Sequence, residues 1–569
     1  MKMKKYIKYL SITLMTLLYS SCTELDLNPL SEGSSANWYN NEEEVVMALN
    51  DLYRSYLWYK DDDAFTDDWT SREALSTVTN ATVNSEWSWS GSLWLNCYKG
   101  ITRANTIISN IDRAADNLTQ EQMDVYIAEA KFVRATMYSF LVARFGDVVL
   151  YTEVPELDEA FNVSRTDKSE VLDLVYSDYD AAITVLPETY GSSELRRATK
   201  GAALALKARI ALYMEDWQVA KDAAKACMDL SIYSLHEDYG TYFFPETKNS
   251  VETIFSLPRS VELNEQLGIN YPVKATITRN AGGWSAYNPS WDLLFAYLCT
   301  DGLPVDESPL FDPLNPFENR DPRLLETVVP FHSEHLGFIY EPHPDSVEIL
   351  NVNTGDYVTN NDTRTNTQFA AYNGLVWKKG VTTDWSDDLN TDPDEIVIRY
   401  AEVLLTYAEA SIELNQIDES VLETINMVRA RAYGADLSSV DSYPMVEMQS
   451  QEALRKTLRI ERRMEFAKEG MRYMDIIRWN LAEKVLNKNI YGMLDPDELR
   501  EKVVNQGLWF FPETPEVDED GIVNLDPIFE KGLIKLLADR DFDGTKQYLW
   551  PIPAQEIIAN SNLQQNPNY

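Results

Sequence analysis

Cysteine and histidine are scarce in this chain, four of each among 569 residues. No CxxC pair occurs, and Cys97, Cys227 and Cys299 are odd in number and widely spaced. Neither a zinc site nor a disulfide framework is indicated, and buried thiols are expected. Positive charge is short as well: 50 Lys and Arg stand against 91 Asp and Glu, a formal charge of −41. Such a surface repels nucleic acid and anionic lipid headgroups, which argues against both as electrostatic partners. Long apolar runs are missing. Leu10 to Leu18 spans about nine residues, where crossing a bilayer takes roughly 20. Catalytic signatures are missing too: there is no GxSxG, GxxxxGKS/T, GxGxxG or HExxH. With 91 acids, carboxylate pairs arise everywhere by chance, so no glycosidase dyad can be read from spacing.

What is present begins at the amino terminus. Residues 1–21 carry Lys2, Lys4, Lys5 and Lys8 and no acid, then the short apolar stretch, then Ser20 and Ser21 before Cys22. A positive head, a greasy middle and small exit residues make a secretory signal. The pattern resembles a bacterial lipoprotein signal, in which cleavage leaves the cysteine first and acylated. The usual leucine three places before the cysteine is Tyr19 here, with Leu18 one further back. The alternative is an ordinary export signal with an incidental cysteine. More than one acyl chain on Cys22 gives a stable anchor, where a single chain holds only marginally. Removing residues 1–21 takes the charge from −41 to −45.

With 44% apolar residues the chain can build a large core. After a polar tether over residues 22–40, amphipathic helices are expected at about 42–59, 93–111, 120–145, 167–186, 198–213 and 216–230. The segment 198–230 has small residues where two helices would touch, as in a tetratricopeptide-type hairpin. A second hairpin is expected from 396–415 to 419–432, and a long helix over about 451–480. Residues 231–392 are rich in Gly, Pro, Asn, Asp and aromatics and are expected to form loops and short strands. The fold class is therefore mainly α: helix pairs carrying a large irregular loop and short-strand insert. The divisions are 41–230, 231–392 and 393–569, within one compact lobe.

Two polar motifs stand out. His332, His335 and His343 cluster in one stretch, but their spacing fits no standard zinc pattern, and a polar loop is expected. In "DRDFDG", Asp539, Asp541, Asp543 and Gly544 match positions 1, 3, 5 and 6 of a calcium loop, while Trp550 stands where a glutamate is required. A structural calcium and a solvated acidic turn are the two readings; no other cofactor is expected.

Across most of its length the sequence resembles the SusD/RagB family of outer-membrane glycan-binding lipoproteins. The resemblance rests on "CTELDLNPLSE" (22–32), "CYKGITRANTII" (97–108), "DGLPVDES" (301–308), "NRDPRL" (319–324), "IRYAEVLLTYAEA" (398–410), "INMVRARA" (425–432), "ERRMEFAKEGMRYMDIIRW" (461–479) and "YLWPIPAQEIIANSNLQQNPNY" (548–569). It implies four tetratricopeptide-like helix pairs and a lipid-anchored position on the outer membrane, facing outward. It also implies a SusC-like TonB-dependent transporter as partner, a polysaccharide or oligosaccharide as ligand, and no catalysis.

Sugars bind flat aromatics through their C–H faces and amides, carboxylates or arginines through their hydroxyls. "NSEWSWSGSLW" (84–94) offers Trp87 and Trp89, which point the same way if extended. In the family, the region down to Asn96 contributes to the glycan site; core burial is the other reading for Trp87. "AGGWSAYNPSW" (281–291) offers Trp284 and Tyr287 near a loop tip, while Trp94 and Trp291 are expected in the core. Asp67, Asp68 and Arg72 are candidates for the hydroxyls. The arginines of NRDPRL and ERRMEFAKEGMRY are expected to be structural, pairing with acids or carbonyls. A peptide cargo would instead call for pockets and backbone edges, and a surface hydrolase has no motif in its favour.

Overall fold

The computed structural model describes residues 38–191 and 196–569. The signal, Cys22 and nearly all of the tether lie outside the described residues.

Helices begin where a side chain meets otherwise unpaired backbone N–H groups. Asn41 caps α1 (Glu42–Asp51), whose first turn holds three acids. Next come α2 (Ser88–Asn110) and α3 (Gln120–Phe145), the latter opened by a reciprocal Thr119–Gln122 capping box. Asp167 and Thr199 cap α4 (Lys168–Val185) and α5 (Lys200–Tyr213), and α6 (Trp217–Asp229) follows. Beyond the irregular middle lie α7 (Tyr400–Glu413), α8 (Glu419–Ala432) capped by Asp418, and α9 (Gln451–Glu465) capped by Ser450. From α2 to α9 each helix packs against the next. Because α6 lies against α7, the middle of the chain leaves this tetratricopeptide-like stack and re-enters it at one place. Small side chains allow the close approach: Ala202, Ala203 and Ala205 of α5 and Ala220, Ala223 and Ala224 of α6 are all buried. Cys97, Cys227 and Cys299 are buried free thiols, as expected.

Short strands organise the insert. β1 (Trp69–Thr70) pairs with β3 (Asn288–Pro289), and β2 (Thr253–Leu257) with β4 (Glu395–Arg399), both antiparallel. Several expected boundaries differ; the helix expected at 93–111 starts at Ser88. The first helix stops at Asp51, followed by a short 3-10 turn at Ser55–Leu57. Residues 396–399, expected to start a helix, are strand, because pairing with β2 satisfies their backbone at the neck of the insert. The long helix at 451–480 breaks after Glu465, where Lys468 and Gly470 take φ of 63° and 71°, and resumes as α10 (Arg472–Arg478). Gly470 is needed there: a Cβ would lie 2.4 Å from the Asp61 carbonyl oxygen.

Under the insert the interior is ionic. Arg399 donates to Glu252, Glu465 and Glu469 at 2.7, 2.6 and 2.7 Å, and Arg323 to Asp321, Glu461 and Glu465 at 2.8, 2.7 and 3.0 Å. Burial pushes the Glu465 carboxyl up, but Arg431, Arg399 and Arg323 outweigh it and hold it below the usual carboxylate range. Arg320 holds the carbonyls of Pro316, Leu294 and Tyr297. Arg320 and Arg323 of NRDPRL are structural, as expected. The C-terminal segment folds back as a clasp. Trp550 N–H donates to Arg144 O at 2.7 Å, and its indole N–H to the Tyr473 hydroxyl at 2.9 Å. Among the described residues no helix is long and apolar enough to cross a membrane.

Candidate functional site

β1 and β3 bring two distant loops together, with Trp69 opposite Pro289 and Thr70 opposite Asn288. Side chains alternate along β1, so Asp68 and Thr70 are buried while Trp69 reaches the surface. Ahead of β3, residues 281–287 fold back on 275–278. Gly283 N–H donates to Thr278 O at 2.9 Å, Ser285 N–H to Ile277 O at 3.0 Å and Tyr287 N–H to Ala275 O at 2.9 Å. The fold-back demands its glycines. Gly282 has φ of 88°, and a Cβ on Gly283 would sit 2.2 Å from Ile277 O.

A chain of rings results. Trp69 meets Tyr287 at 5.3 Å between centroids, Tyr287 meets Tyr271 at 5.7 Å, and Tyr271 meets Trp284 at 5.4 Å. Trp69, Trp284 and Tyr287 are half-buried, whereas Tyr271 is 60% exposed. Phe369, 49% exposed, joins through Arg72, whose guanidinium lies 5.2 Å from its ring centre. Arg72 donates to Trp284 O and Phe369 O at 2.9 and 3.1 Å, and Arg279 donates to the same two oxygens at 3.1 and 3.4 Å. Beneath them Asp362 is buried and accepts from the backbone N–H groups of Arg279 and Asn280. Burial pushes its carboxyl up to about 6, against the pull of those two hydrogen bonds and of Arg279. This surface offers flat rings and guanidiniums, groups that can hold sugars.

Of the expected residues, Arg72, Trp284 and Tyr287 come together here. Five others do not, and each has a physical reason. Trp87 is 7% exposed because α2 starts at Ser88, so no extended run presents Trp87 and Trp89 together. Its ring packs on Trp550 at 4.6 Å and Phe65 at 5.7 Å. Asp67 and Asp68, each 1% exposed, are ion-paired with Arg463 at 2.8 and 2.6 Å, and Asp67 also with Arg472 at 2.9 Å. Burial raises the Asp67 carboxyl, but Arg463 and Arg472 prevail and hold it low. Trp89, 37% exposed, and the half-buried Asn96 lie seven residues apart on one face of α2, a separate strip from the ring chain. Trp94 and Trp291 are core, as expected.

Sequence reasoning missed Trp69, Tyr271, Phe369 and Arg279. Trp69 sits in the same "TDDWTSRE" stretch as Arg72, and Phe369 is a lone aromatic in a polar run; those were the available signals.

The calcium reading is not supported. Asp539 and Asp541 are exposed on an extended segment whose Arg540 and Phe542 point inward, and Asp543 accepts from Thr545 instead. His332 pairs with Glu341, His335 is buried, and His343 packs on Trp509. Among the described residues no three His, Cys, Asp or Glu side chains are grouped to hold a metal ion.

Recesses also lie elsewhere among the described residues. One of about 70 Å³, lined by Trp58, Arg144, Arg209 and Tyr213, is far below the roughly 300–1,000 Å³ of ligand pockets. Another of about 610 Å³, by Trp38, Tyr39, Arg54 and Arg103, adjoins the first described residue, and its Tyr39 is buried.

The sequence model of the SusD family matches residues 251–569, and a second, described as starch-binding associating with outer membrane, matches residues 26–212. The chain belongs to the SusD family. It is 27% identical over 410 residues to a SusD-like protein of Formosa agariphila, covering 71% of this chain and 73% of that one. Its fold superposes with TM-score 0.73 on a SusD-like carbohydrate binding protein from Bacteroides fragilis, at 29% identity over 92% of this chain and 99% of that one. A surface glycan-binding protein from Bacteroides fluxus shares the fold at TM-score 0.58 and 19% identity, over 93% of this chain and 100% of that one. The two solved structures are named as a carbohydrate-binding and a glycan-binding protein.

Proposed function

We propose that this protein is a cell-surface receptor that holds a polysaccharide or oligosaccharide on the ring-lined surface of Trp69, Tyr271, Trp284, Tyr287 and Phe369. It passes the glycan to a TonB-dependent outer-membrane transporter and does not cleave it. The observation that carries this reading is the connected chain of partly exposed rings, spaced 5.3, 5.7 and 5.4 Å, with two guanidiniums at its edge. An open surface suits a polymer, which must enter sideways, better than a closed pocket would. The family description of starch binding at the outer membrane supports the same reading, and acylated Cys22 supplies the anchor. Beneath the rings, the carboxylate of Asp362 is engaged by the backbone N–H groups of Arg279 and Asn280.

Calorimetry of the purified protein against a glycan panel and a peptide mixture tests this. The expected result is glycan binding without release of reducing ends. Trp284→Ala should lose about 1–3 kcal/mol of affinity, since a few anchors carry most of the energy. Unchanged binding in both Trp284→Ala and Tyr287→Ala rejects the site, and binding of peptides alone replaces the ligand class.

A further inference from the structure

Resting on that site, we propose that its glycan is acidic, bearing carboxylate or sulfate groups that Arg72 and Arg279 engage. Most arginines in this protein are engaged by acids or by several oxygens. Those under the insert are paired with acids, as Arg399, Arg323 and Arg463 are. Arg320 and Arg165, which lack a carboxylate, each hold three or more backbone or amide oxygens. Arg72 and Arg279 differ from both groups. They share only two acceptors, the carbonyls of Trp284 and Phe369, and neither forms an ion pair among the described residues. The Nε of Arg72 is buried with no partner, as are those of Arg320 and Arg431, so it is the lack of an ion pair and the two shared acceptors that set Arg72 and Arg279 apart. Burial and the adjacent positive charge of Arg279 both work against the charge on Arg72.

Of the acids nearby, Asp362 acts on Arg279 through charge but forms no ion pair with it. Asp362 is occupied by two backbone N–H groups, and Asp62, beside Tyr287, accepts from Ala64 N–H. Two like charges held together, with donors to spare and aromatic faces alongside, form a receptor for a planar or tetrahedral anion carried on a stacked ring. The overall charge of −41 opposes an anionic polymer at long range. Screening beyond about 8 Å at physiological ionic strength leaves the decision to the local pair.

Calorimetry on the full chain, at about 150 mM salt, should compare polymers that differ only in charge. The pairs are polygalacturonate with its methyl ester, and carrageenan with its desulfated form. The charged member of at least one pair should bind about tenfold or more tightly than its neutral partner, the scale of a charge-assisted hydrogen bond. Which pair responds distinguishes carboxylate from sulfate. Arg72→Gln and Arg279→Gln should each lose that preference, and Arg→Lys at the same positions should keep part of it, which separates lost charge from a disturbed loop. Equal binding within both pairs, or binding of neutral polymers only, overturns the inference. If Trp284→Ala still abolishes neutral-polymer binding, the receptor reading survives that failure. If Trp284→Ala changes nothing, the site itself is wrong.

Discussion

Trp87 and Trp284 are both tryptophans in loop-edge segments, yet their replacement by alanine should have opposite effects. Trp87 lies against Trp550 and Phe65 in the interior. Its loss should cost about 3–5 kcal/mol of stability and leave the glycan affinity of the folded protein unchanged. Trp284 is half-buried at the surface, so Trp284→Ala should weaken binding with little change in melting. Thermal melting and calorimetry on the two variants check both. Arg463→Ala belongs with Trp87. It strands Asp68 and leaves Asp67 on Arg472 alone, a buried charge defect of about 3–5 kcal/mol, read as a lower denaturation midpoint. A sequence cannot tell these cases apart. An aspartate beside a tryptophan looks like a sugar contact until Arg463, nearly 400 residues away, is known to hold it.

At the scale of elements, local patterns were legible and long-range ones were not. The helix expected at 120–145 runs from Gln120 to Phe145, because its capping box and the turn at Gly146 are written in neighbouring residues. The strand at Glu395–Arg399 escaped because its partner lies some 140 residues earlier. The ring surface escaped for the same reason: Arg72 reaches Trp284 across 212 residues and Phe369 across 297. The fold-back at 281–287 makes its own predictions. Gly283→Ala forces a Cβ into Ile277 O, so it should weaken glycan binding while the helical stack melts as before. Asp362, at the base of this loop, sets its pH response. Its folded pKa of about 6 lies above the ordinary carboxylate value, so its contribution is full below about pH 4 and is lost as pH rises through 6. Hydrogen exchange of residues 279–287, corrected for intrinsic rates, should therefore show more protection at pH 5 than at pH 7. Asp362→Asn should flatten that difference. Asp67, held low by Arg463 and Arg472, responds in the other sense: its contribution persists through mild acid and is lost only as pH falls through its depressed pKa.

For the whole molecule, a rigid stack from α2 to α9 carries an insert whose loops, with residues 69–72, form the proposed binding surface, and the stack and insert share buried ion pairs at the neck. Such a scaffold lets the loops vary in chemistry without loss of the fold. In the proposed receptor, Cys22→Ser should move the protein from the outer-membrane fraction to the soluble one while leaving glycan affinity intact. The measurement that tests the central claim most directly is a structure of the protein with a bound oligosaccharide. The account predicts a sugar ring stacked on Trp284 and Tyr271, with an acidic group turned toward Arg72 and Arg279. A sugar seated along Trp89 and Asn96, or in the recess beside Trp38, with the Trp284 surface bare, would contradict it.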